Sequence, residues 1–126
     1  MKSICNRRLR IYRSTCREKL IERGYDVHAL ARSEQGTAVL QSFGCTVVPG
    51  DITDVASMRQ GMAGSDVVFH IAAWYKIGDP DWMKAEAVNV GGARKVLRLA
   101  VELGIPKIIY TSTVAVFGDT QGSACR

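Results

Sequence analysis

Several sequence features are scarce in this chain of 126 residues, and each scarcity excludes a class of protein. No apolar run is long enough to span a bilayer, and no basic segment precedes the apolar stretch of a secretory signal. Histidine occurs 2 times and cysteine 4 times, without the spacing of metal ligands. With 47% apolar and 23% charged residues, the chain can bury a core and is not generally disordered. We expect a soluble, cytoplasmic protein with reduced thiols, no membrane contact and no bound metal.

The first part of the chain lacks glycine and is strongly basic. No glycine precedes Gly24, and residues 1–23 hold eight lysines and arginines against two glutamates. The rest of the chain holds nine basic and ten acidic side chains. Clustered arginines can neutralise nucleic-acid phosphates, which is one interpretation of this segment. Because neither interleaved aromatic residues nor a recognition helix accompanies the arginines, the pattern does not favour a nucleic-acid partner.

From Gly24 onward, short apolar segments alternate with helical patterns. Strands are predicted at 25–31, 45–48, 66–72 and 107–112, and helices at 34–43, 54–62 and 82–103. Strands that alternate with helices at this spacing form βαβ units in a parallel sheet. The predicted fold class is therefore α/β, a doubly wound parallel sheet in three layers with at least four strands. In the last helix we expect one inward apolar stripe, made of Val90, Ala93, Leu97, Ala100 and Val101.

The residues that follow each predicted strand form the candidate site, because open parallel sheets bind ligands beyond the carboxyl ends of their strands. These residues are Arg32 and Ser33, Gly50 to Ile52, Ala72 to Trp74, and Thr111 to Thr113. Asp51 could instead be a turn residue, and the hydroxyl run could simply favour a strand. The shared position at strand ends favours the binding interpretation. Inside the sheet, His70 is expected to be a core residue rather than a catalytic base, and Asn89 to tie the last helix to a neighbouring strand.

Four motifs, in this order along the chain, resemble those of the extended short-chain dehydrogenase/reductase family, the NAD(P)-dependent epimerases and dehydratases. They are GDITD at 50–54, HIAA at 70–73, NVGGARKVLRLA at 89–100 and YTSTVAVFG at 110–118. The matching stretch covers residues 19–118. The resemblance implies an NAD(P)-binding, Rossmann-like domain of an enzyme that acts on a sugar nucleotide or a small carbonyl or alcohol substrate. The branch that it most resembles contains dihydroflavonol-reductase-like and sugar-epimerase-like members.

On the substrate side, the resemblance implies roles for small and hydroxyl-bearing residues. Thr113 stands at the family's catalytic hydroxyl position, where it would hydrogen-bond the reacting oxygen of the substrate. Thr111 and Ser112 would flank the nicotinamide. The small residues Ala72 and Ala73 would let the backbone lie against the neighbouring ribose and the phosphates.

On the adenine side, the resemblance implies that Asp51 accepts a hydrogen bond from the adenine amino group and that the amide of Ile52 also contacts the ring. Arg32 stands where NAD-preferring members place an acid. A guanidinium at that position suits a 2′-phosphate through charge-assisted hydrogen bonds. We therefore expect NADP(H) rather than NAD(H) as the cofactor, with both able to fit.

The chain departs from the family in its catalytic pair, Tyr-x-x-x-Lys, because none of its four tyrosines is followed four residues later by a lysine. In the family this tyrosine exchanges the substrate proton and the lysine lowers its pKa. We therefore expect residues 1–126 to form a single, partial cofactor-binding domain, an incomplete fragment that is inactive alone. The alternative is a non-catalytic NAD(P)-binding or regulatory module. An incomplete sheet would expose apolar surface, so we also expect association, such as a homodimer.

The second departure lies at the family's phosphate loop, TGxxGxxG, which is replaced by Asn6–Arg13. Arg7, Arg10 and Arg13 have the spacing of the three glycines. Because an arginine codon can end in GG, a one-base shift turns each into glycine, and permitted codons over Ser3–Cys16 give VFVTGGYGFIGRHV. We interpret 1–18 as out of frame and 119–126 as an atypical tail after a second slip. In the written frame, we expect a damaged first strand and phosphate loop, and a helix over 14–23.

Overall fold

The computed structural model describes residues 2–6, 12–74 and 81–113, with side chains from residue 15 onward. Within these residues the strands are β1 (Lys2–Asn6), β2 (Asp26–Ala31), β3 (Thr46–Pro49), β4 (Val67–His70) and β5 (Lys107–Tyr110). The α-helices are α1 (Tyr12–Glu22), α2 (Glu34–Ser42), α3 (Val55–Met62), α4 (Trp82–Ala85) and α5 (Ala93–Glu102). A π-helical segment, Glu86–Gly92, joins the last two helices.

The five strands form one parallel sheet in the order β3-β2-β1-β4-β5. The chain first builds outward from β1 to β3 and then returns to place β4 on the other side of β1. This reversal confirms the predicted doubly wound α/β class. The expected damage to the first strand is not found, since β1 pairs with both neighbours at the centre of the sheet. Backbone hydrogen bonds need no particular side chain, and Ile4 and Cys5 are compatible with a buried strand.

The two faces of the sheet are covered by different helices, as the alternation along β2 shows. Val27, Ala29 and Ala31 pack with Leu40 of α2 and with Cys45, and Leu20 and Ile21 of α1 pack against this cluster. Leu30 packs on the opposite face, where a larger core is formed by Ile52, Met58, Met62, Val68, Val96, Leu99, Ala100 and Ile105. The predicted three layers are therefore present. Cys45 is buried, as expected for a small apolar residue.

Two of the helices begin at side chains that satisfy their free amide groups. Ser33 Oγ accepts a hydrogen bond from the Gly36 amide at 3.2 Å, and Asp54 Oδ1 accepts one from the Ala56 amide at 3.0 Å. These N-caps fix where α2 and α3 start, one residue after each cap. Because the caps lie two residues after the end of β2 and five residues after the end of β3, they also fix where the loops that carry Arg32 and Asp51 end.

The predicted helix over 82–103 is helical throughout, but its middle is wound as a π-helix and its inward stripe differs. Val90, Leu97 and Val101 face outward, with exposed fractions of 49%, 36% and 75%. The buried positions of α5 are Ala93, Val96, Leu99 and Ala100. Both stripes fit a helical period, so only packing on the sheet decides between them. Three of the five residues predicted to face inward were therefore wrong.

The basic first segment is not entirely a solvent-facing arm. Arg17 of α1 is only 7% exposed, and its guanidinium carbon lies 4.1 Å from the centroid of the Phe43 ring. Among the ion pairs between described side chains, none includes Arg17. This arginine is therefore held against the helix layer and is not available to a phosphate. In the parts of the chain that are described, no helix is long and apolar enough to cross a membrane.

Candidate cofactor-binding site

The candidate residues lie in two groups along the carboxyl edge of the sheet, one on each side of β1. Ala31 and Pro49 are paired at the ends of β2 and β3, so Arg32 and Asp51 follow neighbouring strands. His70 and Tyr110 are paired at the ends of β4 and β5, so the loops that follow them are also neighbours. The order of the sheet reverses between these two groups, which is where doubly wound sheets bind their ligands.

The first group is built around the Asp51 carboxylate. Arg32 Nη1 donates to Asp51 Oδ2 at 3.0 Å. The other oxygen, Asp51 Oδ1, accepts from the Thr53 amide at 2.9 Å and from the Thr53 hydroxyl at 2.8 Å. The structure thus brings together Arg32 and Asp51, which the sequence placed at the ends of separate strands. We name these two side chains the Arg32–Asp51 pair.

The surroundings of Asp51 favour its charged form. Partial burial raises the pKa of the carboxyl, but the hydrogen bonds from the Thr53 amide and hydroxyl and the positive charge of Arg32 outweigh it. The net result is a pKa below the usual value of an aspartate. Asp51 is therefore an anion at neutral pH, able to accept hydrogen bonds but not to donate one.

The loop that carries Asp51 is held in place by contacts with α5 and the π-helical segment. Ile52 is 5% exposed, and a Cβ atom on Gly92 would lie only 2.7 Å from Ile52 Cδ1. Lys95 Nζ donates to the Thr53 carbonyl oxygen at 2.7 Å. Thr53, Gly92 and Lys95 were not among the residues predicted for this site. No signal in the sequence joins Lys95 to a carbonyl 42 residues earlier.

The second group lies at the ends of β4 and β5. The Thr111 amide donates to the His70 carbonyl oxygen at 3.0 Å, which extends the pairing of the two strands by one residue. Beyond it, the side chains of Thr111, Ser112 and Thr113 are exposed. Ala72 is half-buried against the core and Ala73 is exposed. This side therefore presents small residues and hydroxyls to the solvent at the same edge as Asp51.

Two predictions about neighbouring residues are confirmed. Asn89 Oδ1 accepts from the Trp74 amide at 2.6 Å, and Asn89 Nδ2 donates to the Trp74 carbonyl oxygen at 2.9 Å. Asn89 thus ties the π-helical segment to the loop after β4, so the expected tie is present but reaches the loop rather than the strand itself. His70 is 1% exposed, and its ring stacks on Tyr110 with a centroid distance of 5.3 Å. It lies within the core, as predicted.

The segment at which the family has its phosphate loop directly follows β1. Residues 7–11, which include the arginines at 7 and 10, lie outside the described residues, and so does the side chain of Arg13. The described side chains contain no group of three or more histidine, cysteine or acidic residues that could hold a metal ion.

Comparison with known proteins gives the family. A sequence model of the 3-beta hydroxysteroid dehydrogenase/isomerase family matches residues 13–125. A 2-alkyl-3-oxoalkanoate reductase of Shewanella oneidensis is 36% identical over 100 residues, which are 79% of this chain and 25% of that protein. A 4-hydroxy-2-methyl-3-oxo-4-farnesyl-3,4-dihydroquinoline-1-oxide ketoreductase of Stigmatella aurantiaca is 35% identical over 100 residues, 79% of this chain and 30% of the relative.

The fold comparison agrees. The Bordetella bronchiseptica enzyme WbmH, solved in complex with NAD+, superposes with a TM-score of 0.74 and 25% identity. The match covers 93% of this chain and 40% of that structure. The chain thus spans less than half of these relatives. The matches in sequence and fold show that it belongs to the extended short-chain dehydrogenase/reductase family of NAD-dependent epimerases and dehydratases.

Proposed function

We propose that this chain binds an NAD(P) dinucleotide across the carboxyl edge of its sheet and is the cofactor-binding part of an oxidoreductase, epimerase or dehydratase. The observation that carries this proposal is the Arg32–Asp51 pair on one side of β1, with the exposed hydroxyls of 111–113 on the other. Neighbouring strands are about 4.8 Å apart. A ligand that reaches from the end of β2 to the end of β4 must therefore be extended, as a dinucleotide is.

The adenine half fits the first group. The carboxylate of Asp51 has about four lone-pair sites and uses three for Thr53 and Arg32, so one remains for the adenine amino group. The side chain of Ile52 is buried beneath the loop, so only its backbone amide is placed to meet the ring. Lys95 holds the same loop through the Thr53 carbonyl. These contacts hold the Asp51 loop in one conformation, which supports the proposed recognition of adenine.

The nicotinamide half fits the second group. Ala72 and Ala73 present no bulky side chain, so a ribose and its phosphate can approach the backbone. Thr111 and Ser112 follow the end of β5, which pairs with β4, and we expect them to flank the nicotinamide. When bound, the cofactor supplies a nicotinamide ring that accepts or donates a hydride. The exposed hydroxyl of Thr113 would hydrogen-bond the substrate oxygen on which charge develops.

Turnover needs a group that exchanges the substrate proton, and in this family that group is a tyrosine assisted by a lysine. No tyrosine in the chain has a lysine four residues later. We therefore propose that the chain by itself binds the cofactor without completing the reaction on a sugar nucleotide or a small carbonyl or alcohol substrate. The same missing pair favours the second candidate, a non-catalytic NAD(P)-binding or regulatory module. A Tyr-x-x-x-Lys motif in the coding sequence beyond codon 126 would decide for the enzyme.

The cofactor preference follows from Arg32, which is exposed at the end of β2 and carries the charge that a 2′-phosphate needs. Isothermal titration of the full chain with NADP+ and NAD+ tests both binding and preference. We expect Arg32→Ala to weaken NADP+ binding about tenfold, as the loss of one charge-assisted contact does, and to leave NAD+ within about twofold. Arg23→Ala is the matched control, since Arg23 is an exposed arginine near the opposite end of β2.

The result separates the two parts of the proposal. Binding of neither dinucleotide by the unsubstituted chain would refute the cofactor site. Binding of both, with no change of their ratio in Arg32→Ala, would refute the preference for NADP(H) and leave the site in place.

A further inference from the structure

The guanidinium that is placed to receive a 2′-phosphate already has an anionic partner. Arg32 Nη1 and Asp51 Oδ2 are 3.0 Å apart, and their side chains are 43% and 28% exposed. The Arg32–Asp51 pair therefore lies at the surface of the site, where a ligand reaches it. A phosphate that binds Arg32 must either replace the Asp51 carboxylate or approach it closely.

The Asp51 carboxylate is not free to swing away from Arg32. Its Oδ1 is held by two hydrogen bonds from Thr53, at 2.9 Å and 2.8 Å, which leave Oδ2 directed at the guanidinium. Thr53 is itself fixed through its carbonyl oxygen by Lys95 at 2.7 Å. Asp51 thus offers Arg32 a rigid carboxylate, which costs less conformational entropy than a mobile side chain.

The two cofactors meet this pair differently. The ribose of NAD carries a neutral 2′-hydroxyl, which the Asp51 carboxylate does not repel, so the pair stays intact. A 2′-phosphate carries a charge of about −1.5 to −2, cannot donate to the carboxylate once ionised, and is repelled by it. The remaining N–H donors of Arg32 can receive the phosphate, but the phosphate then lies close to the Asp51 carboxylate, so NADP binds against a repulsion that NAD does not meet.

We propose that Asp51 is a positioning residue that acts through Arg32 to reduce the preference of this site for 2′-phosphorylated cofactors. The inference rests on the proposed cofactor site and adds to it that the preference is set by the Arg32–Asp51 pair rather than by Arg32 alone. Removal of the carboxylate charge frees the guanidinium and raises the affinity for NADP relative to NAD.

The test compares dissociation constants of NAD+ and NADP+ for the full chain, measured by isothermal titration. Asp51→Asn keeps the shape and can still accept the Thr53 hydrogen bonds. We expect the ratio of the NAD+ to the NADP+ dissociation constant to rise about two- to fivefold, the range for a partly exposed ion pair. Asp26→Asn is the matched control, because Asp26 also pairs with a basic side chain, His28, but at the start of β2. The control should leave the ratio unchanged.

The Arg32→Met background shows whether the effect passes through Arg32. There, Asp51→Asn should leave the ratio unchanged. An equal rise in that background would mean direct repulsion of the phosphate and would overturn the inference, as would an unchanged ratio in the single variant. If the unsubstituted chain binds neither dinucleotide, the proposed site fails and the inference with it. Should Asp51→Asn not fold, Asp51→Ser replaces it, since its hydroxyl can also accept from the Thr53 amide.

Discussion

At the scale of single residues, Asp51 links the stability of the chain to pH. The carboxylate is stabilised by Thr53 and Arg32 in the folded state, so its pKa lies below its ordinary value. In the unfolded chain both partners are lost and the ordinary pKa of about 3.9 returns. A lower pKa in the folded state means that the unfolded state binds the proton more tightly, so acid favours unfolding.

This linkage predicts how Asp51→Asn changes the stability. The contribution of the carboxylate is present above the unfolded pKa of about 4 and is lost as the pH falls through the folded value. At pH 7 we expect the variant to be less stable by up to about 1 kcal/mol, since the pair is partly exposed. The difference should shrink as the pH drops below 4. Urea unfolding of both chains from pH 7 to pH 3 measures it, and a difference that stays constant over this range would contradict the shifted pKa.

The sequence identified Arg32 and Asp51 as candidates because strand ends can be located from apolar runs. It could not identify Lys95, whose contact with the Thr53 carbonyl joins residues 42 apart and depends on how α5 packs on the sheet. Nor could it find that Arg17 is buried against Phe43, since a basic residue in a basic segment is expected to face water. Contacts of this kind follow from tertiary packing and leave no local pattern.

At the scale of elements, the approach of the π-helical segment to the Asp51 loop depends on one glycine. A Cβ atom on Gly92 would meet Ile52 Cδ1 at 2.7 Å and Ile52 Cγ1 at 3.0 Å. One on the adjacent Gly91 would have only the Glu86 carbonyl oxygen in range, at 3.8 Å. Both glycines lie in the same segment, so the change in helix propensity on substitution is the same at both. The two positions differ only in whether an added Cβ atom meets Ile52.

We therefore expect Gly92→Ala and Gly91→Ala to have opposite effects. Gly91→Ala should leave the stability unchanged or raise it by about 0.5–1 kcal/mol, the usual gain of alanine over glycine in a helix. Gly92→Ala should lower the stability by about 1 kcal/mol because overpacking against Ile52 exceeds that gain. Thermal unfolding followed by circular dichroism compares the two variants. Equal stability of both would show that the Ile52 contact relaxes without cost.

For the last helix, the periodicity of apolar residues could not determine which face packs on the sheet. Residues 90, 97 and 101 repeat with a helical period, as do the buried residues 93, 96 and 100. The sequence therefore predicted a long amphipathic helix correctly but could not select its inner face. The outward residues Val90 and Leu97 line a shallow groove of about 400 Å³ together with Tyr110. Exposed apolar surface of this kind favours association, and the association expected from an incomplete sheet stays a prediction.

At the scale of the whole molecule, the sheet places the two groups of proposed cofactor-binding residues on either side of β1, but the segment that follows β1 lacks the glycine motif of the family. The sequence reveals this difference because arginines occupy the spacing at which the family motif has its three glycines. Glycines at that position let backbone amides reach a pyrophosphate at a helix N-terminus. Arginine side chains attract phosphate by charge but keep the backbone at a distance.

The out-of-frame interpretation and simple charge attraction predict opposite changes in cofactor affinity when the first segment is replaced. Replacing residues 3–16 of the full chain by VFVTGGYGFIGRHV removes four arginines, introduces one at position 14 and adds the glycine loop. If the loop is the binding element, NADP+ should bind at least about tenfold more tightly, since each charge-assisted amide contact contributes about 1.5–3 kcal/mol. If the arginines hold the phosphates by charge, the replacement should lower the affinity for NADP+. It should also make that affinity less dependent on salt concentration. Titration at two salt concentrations distinguishes these outcomes. The control carries alanine at the three motif glycines, and equal affinity of the control and the replacement would exclude the glycine loop as the cause.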